Sequence, residues 1–388
     1  MRRTTTTFHD KRIVILNIPH TTHTLLDNGV RKISGPLIIY IYFFITFAVM
    51  KKVAVVILNY NGKKFLEKFL PTVIEHSSEV ADVIVADNAS TDDSVAFMKE
   101  SFPSIRLIIN DNNGGFSTGY NLALRQVDNE YYCLLNSDIE VTPHWIEPVI
   151  ELMDSDSTIA ACQPKILSYH DKDKFEYAGA GGGFIDKYGY PFCRGRVFQH
   201  LENDNGQYDD IKEVFWATGA CMFVRSDVYH HFGGLDDSFF AHMEEIDFCW
   251  RVKNNDYKVM YCPQSKVYHI GGGTLPKSSA RKTYLNFRNN LSLLMKNLPK
   301  GAVFTTIAYR ILLDWIAGLK FLFDGSFADL WAVTRAHLSF YRHLPVLRKK
   351  RRMLQHKHVS MVYQKNIVFK HFLEKKKLYT ELDEKDFS

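Results

Sequence analysis

Four short apolar runs alternate with helical patterns between residues 53 and 136, and this alternation restricts the possible folds more than any other feature. The runs are VAVVIL, ADVIVAD, IRLIIN and YYCLLN. Continuous apolar runs of this length are typical of parallel strands that are buried on both faces. Between them lie segments such as GKKFLEKFLPTVIEHS, whose apolar residues recur along one helical face. The pattern predicts an α/β fold in which a mostly parallel sheet carries helices on both faces.

Three of the predicted strands end in polar segments, which read NYNG, DNAS and NSD. Open α/β sheets bind ligands at the carboxyl ends of their strands, so these segments mark the expected site. The first strand is followed by neither GxGxxG nor GxxxxGK(S/T), so a dinucleotide fingerprint or a P-loop is unsupported. Asp87 and Asn88 present an acceptor and a donor that suit the edge of a pyrimidine base. The same two residues would also serve simply to cap the next helix.

The segment NGGFSTGYN places three glycines at the start of a predicted helix. Glycine allows the backbone to approach a phosphate or sugar closely, although a tight turn would give the same pattern. Asp138 and Glu140 flank Ile139 on a predicted strand, where alternate side chains point the same way. Two carboxylates on one side suit a hard divalent cation. Mg²⁺ or Mn²⁺ would have a role there if the ligand were a diphosphate.

The densest group of acids lies in FFAHMEEIDFCWR, residues 239–251. Glu244, Glu245 and Asp247 fall within four positions and are flanked by aromatic residues. Clustered acids in apolar surroundings have raised pKa values, which suits a general base near neutral pH. The alternative is a helix start whose acids complement the helix dipole. Farther on, His269 precedes three glycines and is of interest because a metal is already expected.

Residues 1–50 form an N-terminal extension that contains the apolar segment LIIYIYFFITFAV, residues 37–49. Thirteen residues would rise only about 20 Å as a helix, against about 30 Å for a hydrocarbon core. Met50 opens MKKVAVVILNYNG, which predicts that residues 1–49 are not part of the native product. A marginal membrane anchor and a buried segment are the alternatives. The six cysteines lack metal or disulfide spacing, which favours reduced thiols in the cytoplasm.

Helical patterns dominate residues 298–388, which we predict to be a basic C-terminal region. Residues 302–323 carry only three charges and several aromatic side chains, which is typical of a helix in the membrane interface. The run Arg348–Arg352 would then contact anionic headgroups at the inner face of the cytoplasmic membrane. A packed helical subdomain or a dimer interface are the alternatives. The net charge of +5 is accounted for by this run and gives no reason to expect nucleic acid binding.

The motifs ILNYNG, DNAS, NGGFSTGYN, LLNSDIEV, ATGACMFVR and FFAHMEEIDFCWR occur here in the order and spacing of family 2 glycosyltransferases. The chain most resembles the bacterial rhamnosyltransferase-like branch, over residues 51–297. The resemblance implies a GT-A fold, a nucleotide-diphosphate sugar donor, Mg²⁺ or Mn²⁺, and inversion at the anomeric carbon. The donor would be dTDP-rhamnose, and the acceptor a saccharide or a lipid-linked intermediate of a cell-surface polysaccharide.

The same resemblance implies roles for individual residues. Glu245 stands where the catalytic base is expected, at a position that is commonly Asp, and Asp247 is the second choice. Asp138 would bind the metal at the last acid of a DxD-type motif that begins at Asn136, with Glu140 and His269 as further ligands. The donor side would contain Asn59, Asn61, Asp87, Asn88, Gly114, Gly115, Asn121 and Asn136. The acceptor side would contain Trp216, Glu244 and Arg251.

Two other functions are open at this point. A sugar-nucleotide pyrophosphorylase shares the nucleotide-binding α/β architecture, but it would carry a Gly-rich basic loop after the first strand, and NYNGKKF is not one. An inactive carbohydrate-binding scaffold would keep the fold and lose the acids, whereas Asp138, Glu245 and Asp247 are all present.

Overall fold

A computed structural model of the chain describes residues 4–8, 11–15, 51–271 and 279–388. The first two ranges are the strands β1 (Thr4–Phe8) and β2 (Lys11–Ile15), which pair antiparallel. They belong to one compact unit, residues 1–48, and the rest of the chain forms a second unit. The apolar segment 37–49 and the predicted start at Met50 lie outside the described residues.

The four apolar runs form adjacent strands of one sheet. They are β3 (Val53–Asn59), β4 (Ala81–Asp87), β5 (Arg106–Ile109) and β6 (Tyr131–Asn136). Three helices, α1 (Lys63–Ser77), α2 (Ser94–Ser101) and α3 (Gly115–Leu124), lie between them in the sequence. β3 pairs in parallel with β4 and β6, and β4 pairs in parallel with β5. The predicted βαβ units are therefore present.

Strand β3 shows why its sequence is apolar at every position. Val55 belongs to a buried cluster with Leu66 of α1, whereas Val56 belongs to a second cluster with Tyr120 of α3. Alternate residues of a strand point to opposite faces, so each face of β3 is covered by a different helix. Burial of each Val or Ile side chain contributes about 1.5–3 kcal/mol to stability.

The second half of the sheet is more mixed than the sequence predicted. The strands after β6 are β7 (Ile139–Val141), β8 (Ile159–Ser168), β9 (Gly183–Asp186), β10 (Pro191–Cys193), β11 (Arg196–Val197), β12 (His200–Leu201), β13 (Lys212–Val214), β14 (Cys221–Arg225), β15 (Lys258–His269) and β16 (Val362–Tyr363). The nine-stranded sheet has the order β13-β15-β8-β14-β6-β3-β4-β5, with β7 paired to β15. Because β14 lies antiparallel to both β6 and β8, the sheet is mixed.

The C-terminal residues contribute to the same core as the sheet. The remaining helices are α4 (Glu147–Ser155), α5 (Ser226–His231), α6 (Glu244–Lys253), α7 (Ala280–Asn297), α8 (Val303–Phe323), α9 (Phe327–Arg352) and α10 (Ile367–Phe372). A second sheet has the order β12-β11-β10-β9-β16 and so joins β16 to strands from the middle of the chain. Tyr363 and Ile367 are buried in the main hydrophobic cluster. The predicted boundary at residue 297 coincides with the end of α7, and both sides of it lie in one compact unit.

Helix α8 buries its polar stripe and exposes its apolar residues. Its buried residues follow a spacing of four: Thr306, Arg310, Asp314 and Gly318. The Nε of Arg310 donates to Asp314 Oδ1 at 2.7 Å, and His337 of α9 lies 3.2 Å from Asp314 Oδ2. The large exposed residues of α8 are Phe304, Tyr309, Leu312, Trp315, Ile316, Leu319 and Phe323. None of the helices in the described part of the chain is long and apolar enough to cross a membrane.

Candidate active site

Three predicted site residues meet at one edge of the sheet because their strands are parallel neighbours. In the register of the sheet Asn59 pairs with Asp87, and Leu58 pairs with Asn136. Asp138 follows β6 in a tight turn. This is the edge at which the alternation of strands and helices predicted a ligand site.

Asp87 is buried at this edge, and both of its carboxylate oxygens accept hydrogen bonds. Oδ2 accepts from Asn59 Nδ2 at 2.9 Å, and Oδ1 accepts from the backbone N–H of Ser90 at 2.8 Å. The Oδ1 of Asn59 is buried without a hydrogen-bond partner among the described residues. Gly62 leaves room beside that oxygen, since a Cβ there would collide with it. A buried unpaired acceptor is unfavourable, so this oxygen is suited to accept from a ligand N–H.

Asn61 and Asn88 bind neighbouring loops. Asn61 has a φ of 51°, and its Oδ1 accepts from the backbone N–H of Thr91 at 2.7 Å. Asn88 donates to Asn113 Oδ1 at 2.9 Å and accepts from Asn110 Nδ2 at 3.1 Å. Asn110 ends the predicted strand IRLIIN and Asn113 opens the segment NGGFSTGYN, but neither was predicted as a site residue. These contacts fix the position of the Asp87 loop against the start of α3.

The two glycines at the start of α3 make room for neighbouring protein groups. Gly115 has a φ of +82°, and a Cβ there would collide with the carbonyl oxygen and ring of Phe240. That carbonyl accepts from the backbone N–H of Phe116 at 2.7 Å, so it occupies the start of the helix. A Cβ at Gly114 would collide with Thr118. The geometry therefore does not support the expected donor-binding role of Gly114 and Gly115.

Asn121 is likewise committed to internal contacts. Its Nδ2 donates to the carbonyl oxygen of Leu235 at 2.7 Å and to Asp237 Oδ1 at 2.7 Å. Its Oδ1 accepts from Tyr229 Oη at 2.7 Å. Asn121 is buried and attaches α3 to the segment that precedes α6, which gives no support to its expected contact with the donor.

Asp138 and His269 are paired in the interior. The Nε2 of His269 lies 3.1 Å from Asp138 Oδ1, and its Nδ1 lies 3.1 Å from Glu176 Oε2. Asn136 Nδ2 lies 3.5 Å from the same Nε2. Glu176 was not predicted, because it lies in a segment without any motif. It orients the imidazole from behind, which leaves Nε2 directed towards Asp138.

Electrostatics hold this pair in its charged form. Burial by itself would lower the pKa of His269, but the carboxylates of Asp138 and Glu176 outweigh it and raise that pKa to about 10. Burial likewise opposes ionisation of Asp138 and Glu176, yet the charge of His269 lowers the pKa of both. In the absence of another cation, the imidazolium therefore supplies the positive charge between two buried carboxylates.

Glu140 lies apart from this pair. Strand β7 pairs with β15 so that Glu140 is opposite Tyr268, whereas His269 is opposite Ile139. The carboxylate of Glu140 pairs with Lys172. The prediction that Asp138 and Glu140 point the same way was wrong, because Asp138 lies in the turn before the strand and strand alternation does not apply to it.

The donor set at Asp138 and His269 fits a divalent cation that shares its remaining ligands with a substrate. One carboxylate oxygen and one imidazole nitrogen are adjacent, and both atom types bind Mn²⁺, whereas Mg²⁺ prefers oxygen. Within the described residues, no group of three or more His, Cys, Asp or Glu side chains could hold a metal by itself. Diphosphate oxygens and water would have to complete the coordination.

The acids at the start of α6 follow a strained loop. Phe240, His242 and Met243 have φ values of 67°, 70° and 73°, a region that costs a non-glycine residue about 1–3 kcal/mol. Asn289 of α7 holds the loop by donating to the carbonyl oxygens of Ala241 at 2.9 Å and His242 at 2.7 Å. The hydrogen bond from Phe116 to Phe240 connects the same loop to α3. The strain is thus maintained by contacts from both sides.

Glu244 and Glu245 each have a buried carboxylate oxygen, Oε2, without a hydrogen-bond partner in the part of the chain that the structure describes. Burial raises the pKa of Glu245 to about 7, against an ordinary value of 4.5. Burial, with a smaller contribution from the neighbouring Glu245, raises the pKa of Glu244 well above its ordinary value. A carboxylate with a pKa raised towards neutral pH is suited to act as a general base, and Oε2 is the oxygen of Glu245 that has no partner among the described residues.

Asp247 differs from Glu245 in that its charge is fully compensated. It is fully buried, and its oxygens lie 2.9 Å from Arg251 Nε and 2.8 Å from Lys296 Nζ. Asn297 Nδ2 also donates to it at 2.8 Å. Arg251 in turn donates to the carbonyl oxygens of Phe232 and Gly234. Asp247 thus connects α6 to α7, and Arg251 connects α6 to the loop that precedes α6.

Trp216 lies in the core. Its Nε1 donates to the carbonyl oxygen of Phe184 at 2.9 Å, and a Cβ at Gly183 would collide with its ring. It is 4% exposed. The expected acceptor-side roles of Trp216 and Arg251 find no support in these positions, because neither side chain has a free polar group directed at solvent.

Residues 54–232 match the model of Glycosyl transferase family 2. The chain is 24% identical over 267 residues to the low-salt glycan biosynthesis hexosyltransferase Agl10 of Haloferax volcanii, covering 66% of this chain and 81% of the relative. It is 24% identical over 233 residues to an N-acetylglucosaminyl-diphospho-decaprenol L-rhamnosyltransferase of Mycobacterium tuberculosis. This match covers 55% of this chain and 75% of the relative. It is 22% identical over 230 residues to rhamnosyltransferase WbbL of Escherichia coli. This match covers 56% of this chain and 83% of the relative.

Two solved structures share the fold at low identity. The structure of S. aureus TarS residues 1–349 with UDP-GlcNAc aligns with a TM-score of 0.50 at 13% identity, covering 77% of this chain and 83% of that one. The structure of GalNAc-T7 with UDP, GalNAc and Mn²⁺ has a TM-score of 0.50 at 14% identity, and this chain covers about half, 49%, of it. The predicted GT-A fold is confirmed. Glu245 and His269 lie beyond the residues that the family model matches.

Proposed function

We propose that the chain transfers one sugar from a nucleotide-diphosphate donor to an acceptor hydroxyl with inversion, because residues 54–232 match the model of Glycosyl transferase family 2. The relatives include rhamnosyltransferases, which favours dTDP-rhamnose as the donor. The name of the mycobacterial relative includes a lipid-linked saccharide, which favours an acceptor of that kind in cell-surface polysaccharide synthesis. The comparisons do not favour a pyrophosphorylase or an inactive scaffold.

The observation that carries the mechanism is the buried Oε2 of Glu245, which has no hydrogen-bond partner among the described residues, together with a pKa that burial raises to about 7. In the transfer step the acceptor oxygen attacks the anomeric carbon, and its proton passes to Glu245. The bond from the anomeric carbon to the diphosphate oxygen breaks, and its electron pair stays on that oxygen. One displacement from the face opposite the leaving group inverts the anomeric centre. Asp247 is not suited to this role because two cations and an amide already engage its oxygens.

The donor would lie along the strand ends that carry Asn59, Asp87 and Asn136. The unpaired Oδ1 of Asn59 would accept from a base N–H, and Asp87 would hold the amide of Asn59 in place. Asp138 and His269 would bind Mg²⁺ or Mn²⁺, which when bound neutralises charge on the leaving diphosphate. Binding would replace the contact between His269 Nε2 and Asp138, and Glu176 would keep the imidazole oriented.

A thermal-shift screen of the full chain against nucleotide sugars, each with and without Mn²⁺ or Mg²⁺, tests this proposal. A donor present at 100 times its Kd stabilises a protein by about 2.7 kcal/mol, which the screen detects easily. A metal-dependent shift with one donor would identify the sugar nucleotide. The absence of a shift with every donor would contradict the proposal.

We expect Asp138→Asn to abolish the metal-dependent part of the donor shift and metal-dependent donor hydrolysis. The amide lacks the negative charge that attracts the cation, and one of the two proposed protein ligands would be lost. The matched control is Asp171→Asn, which changes an acid that forms an exposed pair with Lys174. Wild-type donor hydrolysis by D138N would refute the metal assignment.

We also propose that α8 lies on the cytoplasmic face of the membrane. Its apolar side is exposed because Arg310 and Asp314 face the core, and its exposed residues include Phe323 at 86%. Insertion of such a face into the headgroup boundary is stabilised by burial of apolar area, and anionic lipids would attract the basic residues at the end of α9.

The membrane proposal predicts sedimentation of the chain with vesicles that contain phosphatidylglycerol. The double variant Leu312→Ser, Leu319→Ser should lower vesicle partitioning at least about tenfold, because it removes two exposed apolar side chains from the inserted face. Ile109→Ser is the matched control, since Ile109 is similarly exposed but lies on β5. Equal partitioning of the double variant and the wild type would contradict membrane contact through α8.

A further inference from the structure

A pocket of about 570 Å³ lies between α7 and α9, beside the strained loop that precedes α6. Its lining includes three arginines, Arg281, Arg288 and Arg335. Its other large lining residues are Phe240, Tyr284, Leu285 and Trp331. A volume of this size is typical of small-molecule sites.

The three arginines bring positive charge together without a carboxylate partner in the described residues. The arginines of those residues that form ion pairs with acids are Arg194, Arg251 and Arg310, none of which lines this pocket. Arg288 and Arg335 lie at 5.4 Å and 5.3 Å from the centre of the same ring, that of Tyr284. Like charges in one pocket repel, so the arrangement is suited to an anion that bridges them.

The guanidinium groups are oriented by aromatic rings and by the backbone. Arg281 lies 5.0 Å from the centre of the Phe240 ring, and Arg288 donates to the carbonyl oxygens of Ser238 at 3.0 Å and Phe239 at 2.8 Å. A planar guanidinium binds two oxygens of a phosphate at once, and stacking on a ring limits its freedom. Arg281 and Arg335 therefore offer phosphate recognition, whereas Arg288, whose Nε also donates to Asn289 Oδ1 at 2.8 Å, mainly contributes its charge.

One side of the pocket is apolar and continues onto the exposed surface. Trp331 is 59% exposed, and Phe327, one turn earlier on α9, is 69% exposed. Phe323 at the end of α8 is 86% exposed. A ligand that combines a phosphate with an apolar chain would match both halves of this surface.

We propose that this pocket binds the diphosphate of a lipid-linked acceptor, with the apolar chain along Trp331 and the exposed residues of α8 and α9. The inference rests on the proposed glycosyl transfer, because it assigns the acceptor of that reaction. Phe240 forms one wall of the pocket and precedes Glu245 in the loop that positions the base. A diphosphate anchored by the arginines would place the sugar that follows it on the side of Glu245.

Farnesyl diphosphate is a suitable probe, and its binding can be followed by isothermal titration calorimetry. The titration uses the full chain with EDTA, which removes metal-dependent binding of the diphosphate at Asp138. The variants Arg281→Gln and Arg335→Gln change exposed side chains and should each weaken binding about tenfold, as expected for the loss of one charge-assisted contact. The control is Arg342→Gln, which changes an exposed arginine of α9 that does not line the pocket.

The proposal requires weak binding of farnesol and unchanged binding by R342Q. It would be overturned if R281Q and R335Q bound farnesyl diphosphate like the wild type, if R342Q lost as much affinity, or if farnesol bound equally well. It would also be overturned if R281Q and R335Q weakened binding to phosphatidylglycerol vesicles but not to farnesyl diphosphate, since the arginines would then contact the bilayer. The donor thermal shift reports separately on glycosyl transfer, so loss of that shift with retained arginine-dependent binding would refute the proposed function and leave an anion site.

Discussion

Replacing Glu245 by Gln is expected to lower kcat for glycosyl transfer by about 10²–10⁴-fold, the usual contribution of a general base. Gln keeps the size of the side chain but cannot accept the proton of the acceptor hydroxyl. The Kd of the donor, measured by thermal shift, should stay within about twofold, because the donor is bound at the strand ends near Asp87 and Asp138. The measurement is the initial rate of transfer at saturating donor and acceptor.

The pH dependence gives this prediction a second readout. Only the ionised form of Glu245 accepts a proton, and burial raises its pKa to about 7. Activity of the wild type should therefore rise as the pH increases through about 7, and E245Q should lose this rise. Glu151→Gln on the exposed side of α4 controls for the loss of one carboxylate. A rate for E245Q within threefold of the wild type would exclude Glu245 as the base.

The position of the candidate site could be predicted because it depends on strand order and local pattern. Apolar runs between helical segments specify parallel strands, and parallel strands bring their carboxyl ends to one edge. Asn59, Asp87 and Asn136 meet there through pairing between β4, β3 and β6. Because β3 is buried on both faces, its continuous apolar run is easily recognised in the sequence.

The contacts of individual side chains could not be predicted, because they join segments that are distant in the sequence. Glu176 reaches His269 from a stretch without a motif, and the carbonyl of Phe240 occupies the start of α3 where a phosphate was expected. Glu140 pairs with Lys172 and not with the Asp138 site. Strand alternation does not relate the two acids, because Asp138 lies in the turn before β7. Local spacing carries no information about such neighbours.

The exposed apolar side of α8 is compatible with the predicted membrane-interface helix, but the buried contacts behind it could not be predicted from the sequence. A helix with a polar and an apolar stripe is ordinarily expected to bury the apolar stripe. Here the buried side of α8 carries the ion pair of Arg310 and Asp314, and Asp314 also contacts His337 of α9. The direction of the helix therefore depends on charges carried by another helix, and the apolar stripe is left exposed.

Asp247 is expected to affect stability instead of chemistry, and this separates it from Glu245. Asp247→Asn should lower the free energy of unfolding by about 3–5 kcal/mol, because it leaves Lys296 and Arg251 buried with too little negative charge. Unfolding in urea, followed by fluorescence, measures the change. Asp171→Asn is the matched control, whose exposed pair with Lys174 should contribute no more than about 1 kcal/mol.

The rate of glycosyl transfer by the folded D247N protein decides whether Asp247 or Glu245 is the base. If Asp247 only compensates the charges of Arg251 and Lys296, D247N should keep kcat within a few fold under conditions in which it is fully folded. Because the pKa of Glu245 is raised mainly by burial, its pH profile should persist in D247N. A stable D247N protein that has lost transfer by 10²-fold or more would instead assign the base to Asp247. The two variants together therefore identify the proton acceptor.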